Sequence, residues 1–190
     1  MNLQDLFQQR LEGSRAAVAS LDGRMEAIVA AATAIVDRLQ RGGTVYTCGN
    51  GGSAAEAMHL AEELIGRYCG RDRPPRRAVC LNADATALTC IANDFGYEEI
   101  FARQCRALVT EADVLVVMST SGDSDNIVRA LKAARENGGL TIGLLGKGGG
   151  RCRPLCDHPL IVDGEDSAHI QEAHLVIVHL FCEAVERPAS

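Results

Sequence analysis

His59 and Glu63 are four residues apart in the run A-M-H-L-A-E-E-L-I-G-R-Y. On a helix they stand one turn above each other on a single face, a spacing that lets an imidazole and a carboxylate share a metal ion or exchange a proton. A solvated polar stripe is the plainer alternative, because such pairs arise often by chance. Just upstream lies Gly49-Asn50-Gly51-Gly52-Ser53. Glycines there allow a sharp turn and a close backbone approach, and a helix opening at the same spot aims its positive dipole end at an anion. A second loop, Ser119-Thr120-Ser121-Gly122-Asp123-Ser124, places four hydroxyls around one glycine, donors that can surround a phosphate without a lysine. Taken alone it is also an ordinary serine-rich turn. A third cluster, His169, Gln171, Glu172, His174 and His179, is set among Leu175, Val176, Ile177, Val178, Leu180 and Phe181. Histidines in so apolar a helix are usually core residues with satisfied hydrogen bonds.

These residues need elements to hold them. The β-branched and aromatic run 44–47 reads as a strand, the glycines as its turn, and Ser53 as the cap of the helix that follows. Downstream the pattern predicts strands at 78–81, 113–118, 140–145 and 159–162. Helices are predicted near 85–92, 98–108, 127–137 and 168–186, with Gly146 to Gly150 as a loop. Apolar residues at helical spacing (Leu3, Leu6, Phe7, Leu11, then Met25, Ile28, Val29, Ala32, Ile35, Val36, Leu39) predict two leading helices interrupted at Gly13 and Gly23. Such helices either cover a sheet face or pack against another subunit. Alternating strands and helices imply a three-layer α/β sandwich: a five-stranded parallel sheet, flavodoxin-like or Rossmann-like, flanked by helices. The loops after the first and third strands should then face one ligand. No Walker motif or G-x-G-x-x-G fingerprint is present, which argues against ATP hydrolysis and NAD chemistry.

The length of 190 residues suits one domain, with leading helices at 1–40 and an α/β core at 41–190. Hydrophobic residues at 47% without a run long enough for a membrane helix indicate a soluble protein with no membrane partner. A net charge of −6 argues against nucleic-acid binding, and the basic stretch Arg71 to Arg77 reads as a solvated loop. The eight cysteines are scattered without a C-x-x-C pair and read as reduced thiols. Nothing in the first residues looks like an export signal, so the expected compartment is the cytoplasm.

Five ordered motifs, G-N-G-G-S, A-M-H-L-A-E-E-L-I-G-R-Y, N-D-F-G-Y, S-T-S-G-D-S and I-Q-E-A-H-L-V-I-V-H, span nearly the whole chain. Together they resemble the sedoheptulose-7-phosphate isomerases of the sugar-isomerase (SIS) superfamily. The resemblance implies the SIS fold and a cytoplasmic homotetramer with active sites at subunit interfaces. It implies conversion of sedoheptulose 7-phosphate into glycero-manno-heptose 7-phosphate, for the heptose of lipopolysaccharide or related glycans. It also implies one zinc ion per subunit held by His59, Glu63, Gln171 and His179, with Glu63 and His179 as the catalytic proton-transfer pair. Ser53, Ser119, Thr120, Ser121 and Ser124 match the phosphate-binding residues. Asn50, Gly51, Gly52, Arg67, Asn93, Asp94 and Gln171 match the rest of the substrate pocket.

That chemistry suits these residue types. Moving a carbonyl between adjacent carbons requires a base at the C–H, an acid or electrophile at the oxygen, and a handle far from the reacting end. Two tensions attend the assignment. A carboxylate bound to zinc is a poorer base, so the role of Glu63 is divided. Gln171 and His179 are separated by about 12 Å of ideal helix and about 80° around it, so their side chains must lean toward each other or the helix must start irregularly. Ala168 and His169 depart from the acidic-basic pair usual before I-Q-E. A different reading is a non-catalytic SIS protein like the factor that binds the replication initiator DnaA. Retention of Glu63 and His179 speaks against it. Isomerisation of another phosphosugar is the third reading.

Overall fold

The computed structural model describes residues 1–187. Among them the chain forms five strands and seven α-helices: α1 Leu3–Ala19, α2 Met25–Gln40, β1 Val45–Gly49, α3 Gly52–Ile65, β2 Ala78–Cys80, α4 Ala85–Phe95, α5 Ala102–Leu108, β3 Val114–Ser119, α6 Asp125–Glu136, β4 Leu140–Gly146, β5 His158–Val162 and α7 Ser167–Glu186. All strand pairings are parallel and the order is β2-β1-β3-β4-β5. β3 is buried at every position and apolar up to its final Ser119, as a central strand covered on both faces must be. Its alternate residues feed two cores. Val114, Val116 and Met118 join Ile142, Leu144 and Leu160 beneath α1, α2, α3 and α7. Leu115 and Val117 join Phe101, Cys105, Ile127 and Leu131 on the other face. The three-layer arrangement follows from the pleat, which sends successive side chains to opposite sides.

The order reverses between β1 and β3, so their connections depart to opposite faces and leave a crevice at their carboxyl ends. Gly49 and Met118 are register partners there, which puts the glycine turn and the serine loop side by side. All eight cysteines are free thiols, and no described helix is long and apolar enough to cross a membrane.

Several boundaries differ from the sequence-based expectation. α1 runs through Gly13 without interruption, because the missing side chain there makes room for another helix: a Cβ would lie 2.1 Å from the His169 ring. α3 starts at Gly52 with Gly51 (φ +58°) as its cap, and Ser53 does not cap it. The Ser53 hydroxyl lies buried inside the first turn and faces α7 instead. The helix expected over 98–108 divides into a 3-10 turn at Tyr97–Glu99 and the later α5. Glu99, the last residue of that turn, forms ion pairs with Arg106 (2.7 Å) and Arg129 (2.6 Å). The loop after β4 is a series of 3-10 turns over Lys147–Leu155, with Gly148, Gly149 and Gly150 at positive φ.

Candidate active site

The end of β1 is held by side chains from three directions. Asn82 clamps Gly49 at both ends, its Oδ1 accepting from the Gly49 N–H (3.1 Å) and its Nδ2 donating to the Gly49 carbonyl (3.0 Å). Asn50 exchanges two amide hydrogen bonds with Asn126 of α6 (2.9 and 2.8 Å), and the Tyr97 hydroxyl donates to Asn50 Oδ1 (3.0 Å). Asn126 is 2% exposed, so this reciprocal pair is a buried latch between the turn after β1 and the start of α6. In the second loop the Ser119 hydroxyl accepts from the Gly122 N–H (3.1 Å) and the Ser121 hydroxyl from the Asp123 N–H (3.2 Å). Thr120 Oγ1 lies 3.2 Å from Ser167 Oγ, which ties the loop to the start of α7. Ser124 occupies the N-cap position of α6 yet makes no side-chain capping bond, which leaves its hydroxyl available to an anion at the helix end. Gly122 (φ +67°) presses against the Gly149 carbonyl, where a Cβ would come within 2.2 Å.

Along α3, His59 and Glu63 meet His179 from α7. Their donor atoms all lie within 4.8 Å of one another, with His59 Nε2 3.2 Å from His179 Nε2 and 3.5 Å from Glu63 Oε1. A tetrahedral ion with bonds near 2.0–2.1 Å separates its ligand atoms by about 3.3 Å, close to the His59–His179 and His59–Glu63 separations. Two imidazole nitrogens turned toward one point and a carboxylate beside them form a donor set that a cation stabilises. His59 and His179 meet edge to face, with centroids 5.4 Å apart, and the Tyr68 ring lies 5.6 Å from that of His179.

The remaining sequence-selected residues are dispersed. α7 is regular from Ser167, and Gln171 reaches the start of α3, donating to Ser53 Oγ (3.4 Å) and touching the space above Gly52. Three of the four residues assigned to the metal therefore converge here, while Gln171 is held at the glycine turn. Asn93 and Asp94 sit exposed at the end of α4 and hydrogen-bond each other (2.7 Å). Tyr97 connects that end to Asn50. Arg67, exposed beyond α3, donates to the Cys69 carbonyl (3.4 Å).

His174 is fully buried, as expected, but it is not satisfied: neither ring nitrogen makes a hydrogen bond of standard geometry, and Glu56 Oε2 lies 4.0 Å from Nδ1. Burial pushes the His174 imidazole down to about 4, against a smaller opposing pull from the Leu145 backbone. Burial alone lifts the Glu56 carboxyl to about 8, so at neutral pH the pair carries no net charge. The basic stretch 71–77 is only partly solvated, because Arg73 is inserted between α3 and α7 and pairs with Glu186 at 2.8 Å. Sequence reasoning missed Asn82, Asn126, Tyr97, Tyr68, Arg73, Glu186 and Glu56. Asn126, one residue into the helix after S-T-S-G-D-S, was the most findable of them; Tyr68 and Tyr97 close two of the quoted motifs and Arg73 lies in the basic stretch, while Asn82, Glu56 and Glu186 carry no local signal.

The SIS domain matches residues 11–146. The chain is 45% identical over 168 residues to the phosphoheptose isomerase of Helicobacter pylori, covering 88% of this chain and 87% of that one. It is 49% identical over 148 residues to phosphoheptose isomerase 1 of Campylobacter jejuni, covering 78% and 79%. Among solved structures, the phosphoheptose isomerase of Neisseria gonorrhoeae superposes with a TM-score of 0.89 at 35% identity over 97% of this chain and 99% of that one. That of Francisella tularensis gives 0.88 at 35% over 98% and 99%. With such identity over nearly full length, and with the crevice and the His-Glu-His cluster where the fold places them, the chain belongs to the phosphoheptose isomerases of the SIS-domain family.

Proposed function

We propose that this protein interconverts sedoheptulose 7-phosphate and glycero-manno-heptose 7-phosphate, in the biosynthesis of heptose for lipopolysaccharide or a related glycan. The observation that carries this reading is that one helix begins at the glycine turn and carries His59 and Glu63 further along. Ser53 and His59 are six residues apart, about 9 Å of helix rise. In an extended sugar, seven bonds separate C2 from the phosphorus of a C7 phosphate, about 8 Å at the advance per bond of an extended chain. A phosphate seated on Ser53, Ser119, Thr120, Ser121 and Ser124 therefore leaves C1 and C2 at the level of the His-Glu-His cluster. In this reading Asn50, Gly51, Gly52 and Gln171 serve the phosphate end, and Arg67, Asn93 and Asp94 are the remaining substrate contacts that the family resemblance implies.

The reaction moves one proton between neighbouring carbons. A base removes a proton from C1 of the ketose, the electron pair becomes the C1–C2 double bond of an enediol, and the C2 oxygen takes a proton. Return of a proton to C2, with loss of the O1 proton, yields the aldehyde. Glu63, with a side chain 15% exposed, and His179 opposite it are the acid-base pair in this reading. His59, Glu63 and His179 would hold a zinc ion, which Gln171 would join as a fourth donor on leaving its contact with Ser53 Oγ, and zinc there would supply electrophilic polarisation of the carbonyl. The phosphate supplies binding energy at a distance and so orients the carbons without taking part.

The same proposal includes a single-domain, cytoplasmic homotetramer with sites near subunit interfaces. Supporting it, Leu3, Phe7, Leu11 and Val29 are more than half exposed. A groove of about 560 Å³ between α2 and α7 is lined by Met25, Val29, Val36 and Leu180. Purified protein assayed with sedoheptulose 7-phosphate as isolated, after chelation and after zinc return tests the function. Activity removed by chelation and restored by zinc is the expected result. A zinc-loaded protein with no turnover overturns it.

A further inference from the structure

Beyond the three clustered side chains, a second arrangement fixes where one of them points. Among the described residues the only hydrogen-bond contact of the His179 ring is with His59, through Nε2. Imidazole ligands are ordinarily oriented by a hydrogen bond from their second nitrogen, and here an aromatic ring takes that place: Tyr68 lies against His179 with centroids 5.6 Å apart and planes inclined by 32°. Tyr68 follows the end of α3 in a segment without regular structure, so something must hold it. Glu186, at the last turn of α7, accepts from the backbone N–H groups of Tyr68 (3.2 Å), Cys69 (3.1 Å) and Gly70 (3.0 Å) and from Arg73 Nε (2.8 Å). Arg73 in turn donates to the carbonyls of Leu64 (2.9 Å) and Glu63, which caps the carboxyl end of the helix that carries Glu63. The side chains of Arg73 and Glu186 are 10% and 14% exposed, so the clamp is shielded from water.

We propose that Tyr68, locked by the Arg73–Glu186 pair, is a positioning residue that sets the orientation of His179 relative to His59 and Glu63. One carboxylate thereby couples the ends of α3 and α7, and the ring it secures holds the imidazole in the rotamer that completes the cluster. The inference rests on the isomerase reading above only for its kinetic consequence.

Three measurements on the full chain test it: zinc affinity by chelator competition, kcat and KM with sedoheptulose 7-phosphate, and the carbon-bound ring proton resonances of His179 in metal-free protein. Tyr68→Ala is expected to weaken zinc binding about tenfold and lower kcat about tenfold, with KM changed less than twofold, and to shift the His179 resonance. Tyr68→Phe, which keeps the ring face, should restore all three to within about twofold of wild type, since the contact is made by the ring and not by the hydroxyl. Tyr68→Leu fills the space without an aromatic face and should behave like Tyr68→Ala, which separates orientation from loss of volume. Glu186→Ala should move the same quantities in the same direction by less. Folded Tyr68→Ala and Tyr68→Leu proteins with wild-type zinc affinity and an unmoved His179 resonance overturn the proposal. A wild type that binds no zinc or turns over no sugar overturns the isomerase reading instead, and the His179 resonance then decides the positioning role alone.

Discussion

The glycine-serine loops and the His-Glu-His cluster are built by different means. The loop end is made of backbone, glycine and short hydroxyls drawn from two contiguous motifs at the tips of β1 and β3. The His-Glu-His end is made of side chains on two helices, and His59 and His179 are 120 residues apart in the chain. Local turns pre-organise the first end, so it depends on single hydroxyls and on glycine geometry. The second exists only while α3 and α7 stay packed, and it draws its precision from groups such as Tyr68 and Glu186 that do no chemistry. One end is tolerant of distant change and sensitive to local change; the other is the reverse.

The largest test of that contrast strikes the side-chain end. Glu63→Gln and His179→Ala should each lower kcat by about 10²–10⁴, the range for a lost acid-base group, while KM changes only a few-fold and the fold persists. Steady-state kinetics with circular dichroism checks this. A KM effect as large as the kcat effect would mean that these groups bind rather than react. Next comes the anion end. Ser124→Ala removes a hydroxyl that caps nothing, so kcat should hold while KM rises about tenfold, as for one hydrogen bond to a charged group, and thermal stability should stay within about 0.5 kcal/mol of wild type. Gly52→Ala should act in the same sense but less, raising KM about fivefold. Its Cβ would meet the Gln171 amide at 2.5 Å, and that amide is the mobile end of a side chain.

Smaller effects concern the supports, and pH reads them. Partial desolvation pushes the Glu186 carboxyl up, but the Arg73 guanidinium and the backbone N–H groups of Gly70, Cys69 and Tyr68 outweigh it and hold its pKa at about 2, against an ordinary 4.5. Because the folded value is depressed, this stabilisation is fully present above about pH 4.5 and is lost as the pH falls toward 2. Wild type should lose several degrees of Tm across that window beyond what Glu186→Gln loses, as scanning calorimetry would show. Glu56 has the opposite sign. Its folded pKa is raised to about 8, so its contribution is present at low pH and is lost as the pH rises from 4.5 through 8. Replacing it by Gln should flatten the fall in Tm between pH 6 and 8 by a few degrees.

Periodicity was a reliable guide wherever burial is strongly patterned. The run D-V-L-V-V-M is a strand because every residue of β3 is buried, and α7 spans Ser167–Glu186 because its apolar content is sustained. It misjudged places where a single tertiary contact decides. Gly13 is a helix breaker by propensity, yet it lies within α1 because His169 occupies the space a side chain would take. Ser53 looks like a cap, yet it faces Gln171 because Gly51 already supplies the turn.

The sequence by itself determined the alternation of strands and helices, the glycine and serine loops after β1 and β3, and the His59–Glu63 face of α3, since each depends on residues within a few positions of one another. Only the tertiary structure decided that His179 joins that face while Gln171 goes to the glycine turn, that Asn126 latches Asn50, and that Arg73 leaves the solvated loop to meet Glu186. Those partners are separated by 76 to 120 residues, and no local pattern records a distance that only the packing of α3, α6 and α7 around one parallel sheet brings to a few ångströms.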